Sequence, residues 1–183
     1  MKLAALVLAA GAGSRFGGGK LEALLRGEPL VSHAIRAARA APVDRVIVVA
    51  APALPLPDGV ETVRIATTAL SDSLKAGIAA AGPVDGLFVF LGDMPLVPHG
   101  LGRELAALLP QAYAVVPRHA GRPGHPVLLS ARALADCGNL RGDEGFGRLL
   151  RGRSDLAFLD GADEGAIIDI DRAEDLARLE GEG

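Results

Sequence analysis

Apolar runs of strand length alternate along this chain with segments whose apolar residues recur every three or four positions. That is the pattern of βα units around a buried, mostly parallel sheet. LAALVLAA, residues 3–10, is the first run and predicts a strand. PLVSHAIRAARAA, residues 29–41, sets Leu30, Ala34, Ile35, Ala38 and Ala41 on one face of a helix. RVIVVAA is a second strand, APALPLPDG a proline-rich loop and VETVRIA a weaker strand. SDSLKAGIAAAG, residues 71–82, predicts a helix whose start Asp72 or Ser73 can cap. GLFVFL then predicts a strand ending at Gly92-Asp93, before a helix around GLGRELAALL and a strand YAVVPR. The last third is less regular: GHPVLLS, a short helix at ARALAD, the loop LRGDEGFGRLL, strands LAFLD and AIIDID, and a closing helix AEDLARLE. No repeat, linker or low-complexity stretch interrupts the series, so residues 1–183 are expected to form one α/β domain. Its ligand is expected at the carboxyl ends of the parallel strands.

Composition removes several classes of function. Half the residues are hydrophobic but only 3% are aromatic, so the core is expected to be small aliphatic side chains packed between layers. A chain of this length buries roughly two thirds of the surface that its unfolded form exposes. The formal charge of −3 provides no basic field of the kind that nucleic-acid binding requires. Cys137 is alone, which excludes an internal disulfide and a cysteine-built metal site and favours a reducing compartment. The N-terminal MKLAALVLAAGAG has the lysine, apolar stretch and small residues of a signal peptide, but cleavage there would remove the first strand. No other stretch approaches the roughly 20 apolar residues of a membrane span. The expectation is a cytoplasmic protein with neither a nucleic-acid nor a membrane partner.

The candidate chemistry begins at LVLAAGAGSRFGGGK, residues 6–20, where an apolar run breaks into five glycines and ends on a lysine. Two familiar phosphate loops fail on spacing. The dinucleotide fingerprint needs a third glycine where Phe16 stands, and the P-loop needs glycine at Ser14 and a hydroxyl at Leu21. The general physics survives, because glycines after a strand let backbone N–H groups turn toward an anion, and Arg15 and Lys20 can neutralise phosphate charge. Only three lysines occur in the chain, Lys2, Lys20 and Lys75, which adds weight to the one in this loop. Asp93 follows the strand LFVFL directly and should emerge at the same sheet edge, where a Mg²⁺ would join one or two carboxylates to phosphate oxygens. Asp169 and Asp171 in IIDID end another apolar run, where strand alternation would set both on one side, and can supply a second ligand, with Asp171 favoured over Asp169. Asp171 is equally suited to capping the last helix.

LAAGAGSRFGGGK, SLKAGI, LGDMPLV, RPGHPVLL, GDEG and DIDRAEDL occur in the order found in the MobA-like nucleotidyltransferases. The chain resembles that family from residue 5 to about residue 179, and most of all its molybdenum cofactor cytidylyltransferases. The resemblance implies a single Rossmann-like, three-layer nucleotidyltransferase domain. It implies nucleotide contacts from Leu8, Ala9, Ala10, Gly11, Gly13, Ser14, Arg15 and Lys20, with Ser73 and Gly77 near the nucleoside. Arg15, Lys20 and Asp93 would carry catalysis, Mg²⁺ (or Mn²⁺) would sit on Asp93 with Asp169 or Asp171, and Arg122, His125, Gly142 and Asp143 would line the acceptor side. The substrates implied are CTP, or another nucleoside triphosphate, and the molybdenum cofactor, with a molybdoenzyme or its maturation factor as a protein partner. His125 is also suited to a plain role as a loop histidine held by backbone hydrogen bonds before Pro126. Phe16 and Ala173 depart from the methionine and proline of many relatives, and neither change removes a charged group.

Three rivals remain at this level: a GTP-using guanylyltransferase, a nicotinamide-dependent oxidoreductase and a cofactor-carrying chaperone. Ala10 resembles the CTP-using members, where GTP users tend to have glycine. Strand two ends VVAAPALP, without the acidic residue that binds an adenosine ribose. Lys20 and Asp93 together favour catalysis over carriage.

Overall fold

The computed structural model describes residues 1–11, 13, 16–67 and 69–181. Strand β1 (Leu3–Ala9) is buried along its whole length. Its alternate side chains serve opposite cores: Ala5 and Val7 meet one, and Ala4 and Leu6 the other. A hairpin of β2 (Leu24–Leu25) and β3 (Glu28–Pro29) follows. It turns on Arg26 and Gly27, both with positive φ (52° and 80°), the geometry of a two-residue hairpin loop. The sequence carried that turn, and the periodicity reading did not use it. Helix α1 (Leu30–Ala40) then buries Leu30, Ala34, Ile35 and Ala38, the stripe expected of it.

Next come β4 (Arg45–Ala50), β5 (Glu61–Arg64), α2 (Leu70–Ala81), β6 (Gly86–Leu91) and α3 (Leu101–Leu108). The remainder is β7 (Ala114–His119), β8 (Arg122–Pro123), β9 (Val127–Ser130), α4 (Ala131–Asp136), α5 (Gly147–Leu150), β10 (Leu156–Asp160) and α6 (Ala173–Gly181). The main sheet runs β10-β7-β9-β6-β1-β4-β5, with β8 paired to β7. All its pairings are parallel except those of β9 and β8. Helices α1 and α3 cover one face and α2 and α4 the other, which makes the three layers. Cys137 is fully buried between α4 and the sheet, and burial pushes its thiol up to about 11. It packs as a small hydrophobe.

Two expectations are corrected. Helix α2 starts earlier than expected, so neither Asp72 nor Ser73 is its cap. Ala69 holds the cap position with no side-chain cap bond. Thr67 does the local work instead, its hydroxyl oxygen accepting from Ala69 N–H and donating to Asp72. The second correction is AIIDID, which is not a strand. Ala166 closes a 3-10 turn over Glu164–Ala166, capped by Asp163, and the segment then crosses the ends of the sheet strands. Its backbone bonds go sideways, with Ala166 O accepting from His125 N and Ile170 N donating to Asp93 O. Asp169 and Asp171 therefore owe their positions to these cross-links and not to the two-residue alternation of a strand.

Candidate active site

The glycine-rich loop folds back on itself. Gly13 has φ +56°, and its carbonyl accepts from Phe16 N and Gly18 N. A Cβ on Gly13 would lie 3.0 Å from the Cβ of Lys20, so the return strand of the loop closes against it. Gly17, Gly18 and Gly19 are consecutive left-handed residues (φ 90°, 97° and 62°), a run closed to other side chains without strain. They deliver the chain to a 3-10 turn over Lys20–Glu22, pinned by buried Leu21. Ser14 and Arg15, both expected at the phosphates, lie outside the described residues.

Lys20 meets Asp93 at the end of β6. Gly92 N donates to Leu8 O at 2.9 Å, and a Cβ there would approach that same oxygen to 3.1 Å. A side chain there would push the Leu8 carbonyl back by a few tenths of an ångström, so the glycine lets Asp93 follow close to the end of β1. The Lys20 ammonium lies 2.6 Å from Asp93 and 3.4 Å from Asp171, joining residues that stand 73 and 151 positions away in the chain. Burial works to lower the Lys20 pKa, but the hydrogen bonds and charges of the two carboxylates outweigh it and the pKa is raised. Lys20 is a fixed cation at neutral pH.

Asp171 reaches the site because Ile170 is fully buried in a small core with Leu25 and Leu30, against which Leu176 and Leu179 of α6 also pack. The start of α6 is closed by Asp175, whose carboxylate accepts from Asp171 N and Arg172 N. Those bonds hold the Asp175 carboxyl below its usual range. Asp169 lies toward His125, close enough for its charge and that of Asp93 to act on the imidazole. Burial nevertheless lowers the His125 pKa against those charges and the Val89 carbonyl, so the ring is neutral at pH 7. His125 is held by the backbone at both ends, N–H to Ala166 O and Nδ1 to Val89 O, as its plain role anticipated. Its ring also meets the edge of Phe146 at 5.8 Å between centroids.

Two cavities share the glycine loop and Lys20 as a common wall. The larger, about 600 Å³, opens toward the ends of β4 and β5 and is lined by Ala10, Glu22, Pro52, Ala53, Ile65 and Thr67 among others. The smaller, about 320 Å³, holds Asp93, Ser73, Leu70 and Leu8. Ala10 borders both. Gly77 faces β1: a Cβ there would meet Leu6 Cδ1 at 2.3 Å, so helix–sheet packing accounts for this glycine. Arg122 is exposed in the β7–β8 hairpin. Gly142 and Asp143 are exposed in the loop between α4 and α5, whose Gly145 packs on Leu70. That loop is tied to α2 by Lys75, a link that sequence reading missed although the rarity of lysine marked it.

A glycine loop, a lysine bracketed by two carboxylates and paired cavities at the carboxyl ends of a mostly parallel sheet define a nucleotide-binding α/β protein of the nucleotidyltransferase type. Residues 5–157 match the family described as the MobA-like NTP transferase domain, and the chain belongs to that family. It is 29% identical over 192 residues to the purine catabolism protein PucB of Bacillus subtilis, covering 94% of this chain and 93% of PucB. Among solved structures, Rv0371c of Mycobacterium tuberculosis superposes with a TM-score of 0.86 at 27% identity over 99% of both chains. The same protein has been solved as a complex with manganese, with a TM-score of 0.83 at 27% identity over 100% of both chains. A nucleotidyl transferase from Methanothermobacter gives 0.81 at 25% identity over 99% of this chain and 97% of its own. No helix among the described residues is long and apolar enough to cross a membrane.

Proposed function

We propose that the protein transfers CMP from CTP to the terminal phosphate of the molybdenum cofactor and releases pyrophosphate. The observation that carries this reading is the Lys20 ammonium held between Asp93 and Asp171 where the glycine loop meets both cavities. The acceptor phosphate oxygen attacks the α-phosphorus, one P–O bond forms, and the bond to the β-phosphate oxygen breaks as pyrophosphate leaves. The nucleophile is already ionised at neutral pH, so positioning and charge neutralisation carry the step and no general base is needed. Lys20 would stabilise charge on the α-phosphate and on the leaving group, and Arg15 would grip the outer phosphates. His125 is neutral and would contribute shape and hydrogen bonding, not charge.

The donor set suits a divalent ion that is completed by substrate. Among the described residues no three acidic, His or Cys side chains converge as a ready-made cage. Two carboxylates flanking a bound cation are, however, what Mg²⁺ or Mn²⁺ uses when phosphates supply the other ligands. Asp93 with Asp171 would hold the ion, which would supply further charge neutralisation on the phosphates. Asp169, placed toward His125, is the weaker candidate.

The base preference rests on Ala10, buried at the wall that both cavities share. Its Cβ takes space that a glycine would leave to a two-ring base. Such differences are worth only about 1–3 kcal/mol, so selectivity through Ala10 is partial. The oxidoreductase rival stays disfavoured, because the turn after β4 is Ala51-Pro52-Ala53-Leu54, with no acid for a ribose. PucB carries purine catabolism in its name; on the present reading this chain supplies a cofactor rather than acting on a purine. The test is pyrophosphate release by purified protein with Mg²⁺, molybdenum cofactor and each triphosphate in turn. CTP should give the highest kcat/KM, and Ala10→Gly should narrow the CTP:GTP ratio. No release with any triphosphate would overturn the transferase reading, and equal use of CTP and GTP would overturn the cytidylyl one.

A further inference from the structure

The motif SLKAGI contributes Ser73 to the smaller cavity and Gly77 to packing on β1, which leaves Lys75 unexplained. Lys75 forms no ion pair among the described residues. Its ammonium donates instead to the backbone carbonyl of Leu140 at 2.6 Å. One turn earlier on the same helix face, Ser71 N–H donates to Gly142 O at 3.0 Å. That amide is one of the donors a helix start leaves without an intrahelical partner, and α2 has no side-chain cap to satisfy it. A third contact completes the seam: a Cβ on Gly145 would meet Leu70 Cδ2 at 2.8 Å, so the loop lies directly on the first residue of α2. Leu70 itself lines the smaller cavity with Lys20 and Asp93. Beyond the seam, Phe146 reaches the His125 ring. Further along α2, Gly77 packs closely on Leu6 of β1, which ties the helix to the sheet.

We propose that Lys75 is a positioning residue which clamps the loop at residues 140–146 onto the start of α2 and so holds the acceptor side of the site in register with the nucleotide side. This rests on the transferase reading above. Lys75 lines neither of the two cavities and acts through the Leu140 carbonyl, so its loss should affect acceptor binding and leave the nucleotide alone. A lysine suits the task because a compact ammonium on a long stem can bond a single carbonyl while its stem packs along the helix.

The experiment compares native protein with Lys75→Met, which keeps the stem and removes the charge, and Lys75→Arg, which restores a donor. Amide hydrogen exchange is read at Ser71, whose acceptor is Gly142 O, and at Arg141 and Glu144, whose N–H groups bond within the loop. Lys75→Met should speed exchange at these amides about tenfold or more, the scale expected for losing a hydrogen bond from a charged donor, with β1 and β6 amides unchanged. It should raise KM for molybdenum cofactor by about tenfold at unaltered kcat, with the dissociation constant for CTP within about twofold of native. Lys75→Arg should recover most of both effects. Unchanged loop exchange in Lys75→Met would overturn the clamp whatever reaction the protein runs. Faster exchange with an unaltered acceptor KM, or a loss shared equally by CTP binding, would overturn the positioning role. Failure of the native protein to turn over at all would instead remove the transferase reading, while the exchange data still decide whether the clamp exists.

Discussion

Asp93 shows how a residue's role changes between the sequence and the folded chain. Its place directly after an apolar strand predicts a carboxylate at the sheet edge, available to a metal ion. In the fold its side chain is only 23% exposed and lies 2.6 Å from a lysine that is 12% exposed. Asp93→Ala therefore removes the nearest counter-charge of a largely buried ammonium as well as a candidate ligand. Turnover should fall on the order of a hundredfold or more, as when one preorganised electrostatic group is lost. Stability should also fall, by about 1–3 kcal/mol in denaturant titration, the cost of leaving a buried donor short of its partner. An unaltered unfolding midpoint would show that water or Asp171 replaces the lost carboxylate at no cost. The residues of this site were legible as types and positions in the chain. Their mutual distances were not, since a separation of 151 residues carries no local signal.

Among the elements, α2 is the one whose sequence and tertiary demands pull apart. By propensity, a glycine inside a helix costs up to about 1 kcal/mol relative to alanine, so Gly77→Ala ought to stabilise an isolated α2. In the fold the added methyl would stand 2.3 Å from one Leu6 carbon and 2.5 Å from another. Leu6 is fully buried at the centre of β1 and has nowhere to move. Overpacking of this kind costs about 1–3 kcal/mol and should exceed the gain in propensity. Gly77→Ala is expected to lower the thermal midpoint, and a raised midpoint would show that β1 and α2 can separate to admit the methyl. The start of α2 was misplaced for a related reason. Ser and Asp signal caps by local chemistry, whereas the N–H of Ser71 is satisfied by a carbonyl from a loop about seventy residues away.

For the whole molecule, the decisive connection joins the two ends of the chain. Ile170 is buried with Leu25 and Leu30, and α6 closes over the same small core, so the N-terminal hairpin and the C-terminal helix together place Asp171 beside Lys20. Ile170→Ala should cost about 2–5 kcal/mol, near the lower end because the cluster is small and at the edge. Activity should fall further than the loss of folded protein explains, since Asp171 loses its anchor. The check is turnover per folded molecule, measured at a temperature where native and variant are both fully folded. Equal turnover per folded molecule would mean that the backbone bond from Ile170 to Asp93 holds the segment without the side chain.

The sequence by itself determined the alternation of strands and helices, the faces they bury, the glycine loop and the identity of Lys20 and Asp93, because these follow from periodicity and side-chain chemistry within a few residues. Strand β1 and helix α1 were readable almost to the residue, since every residue of β1 and all the apolar positions of α1 but Ala40 are buried. Tertiary structure alone decided that AIIDID crosses the strand ends instead of joining the sheet. It also decided that Asp171, the residue favoured from sequence, lies 3.4 Å from Lys20, and that Lys75 bonds a distant loop. An apolar run such as Ala166–Ile170 satisfies a strand or a buried crossing equally well. The choice depends on which backbone donors and acceptors are left open elsewhere, and here the His125 amide and the Asp93 carbonyl, on segments far away in the chain, supplied the partners.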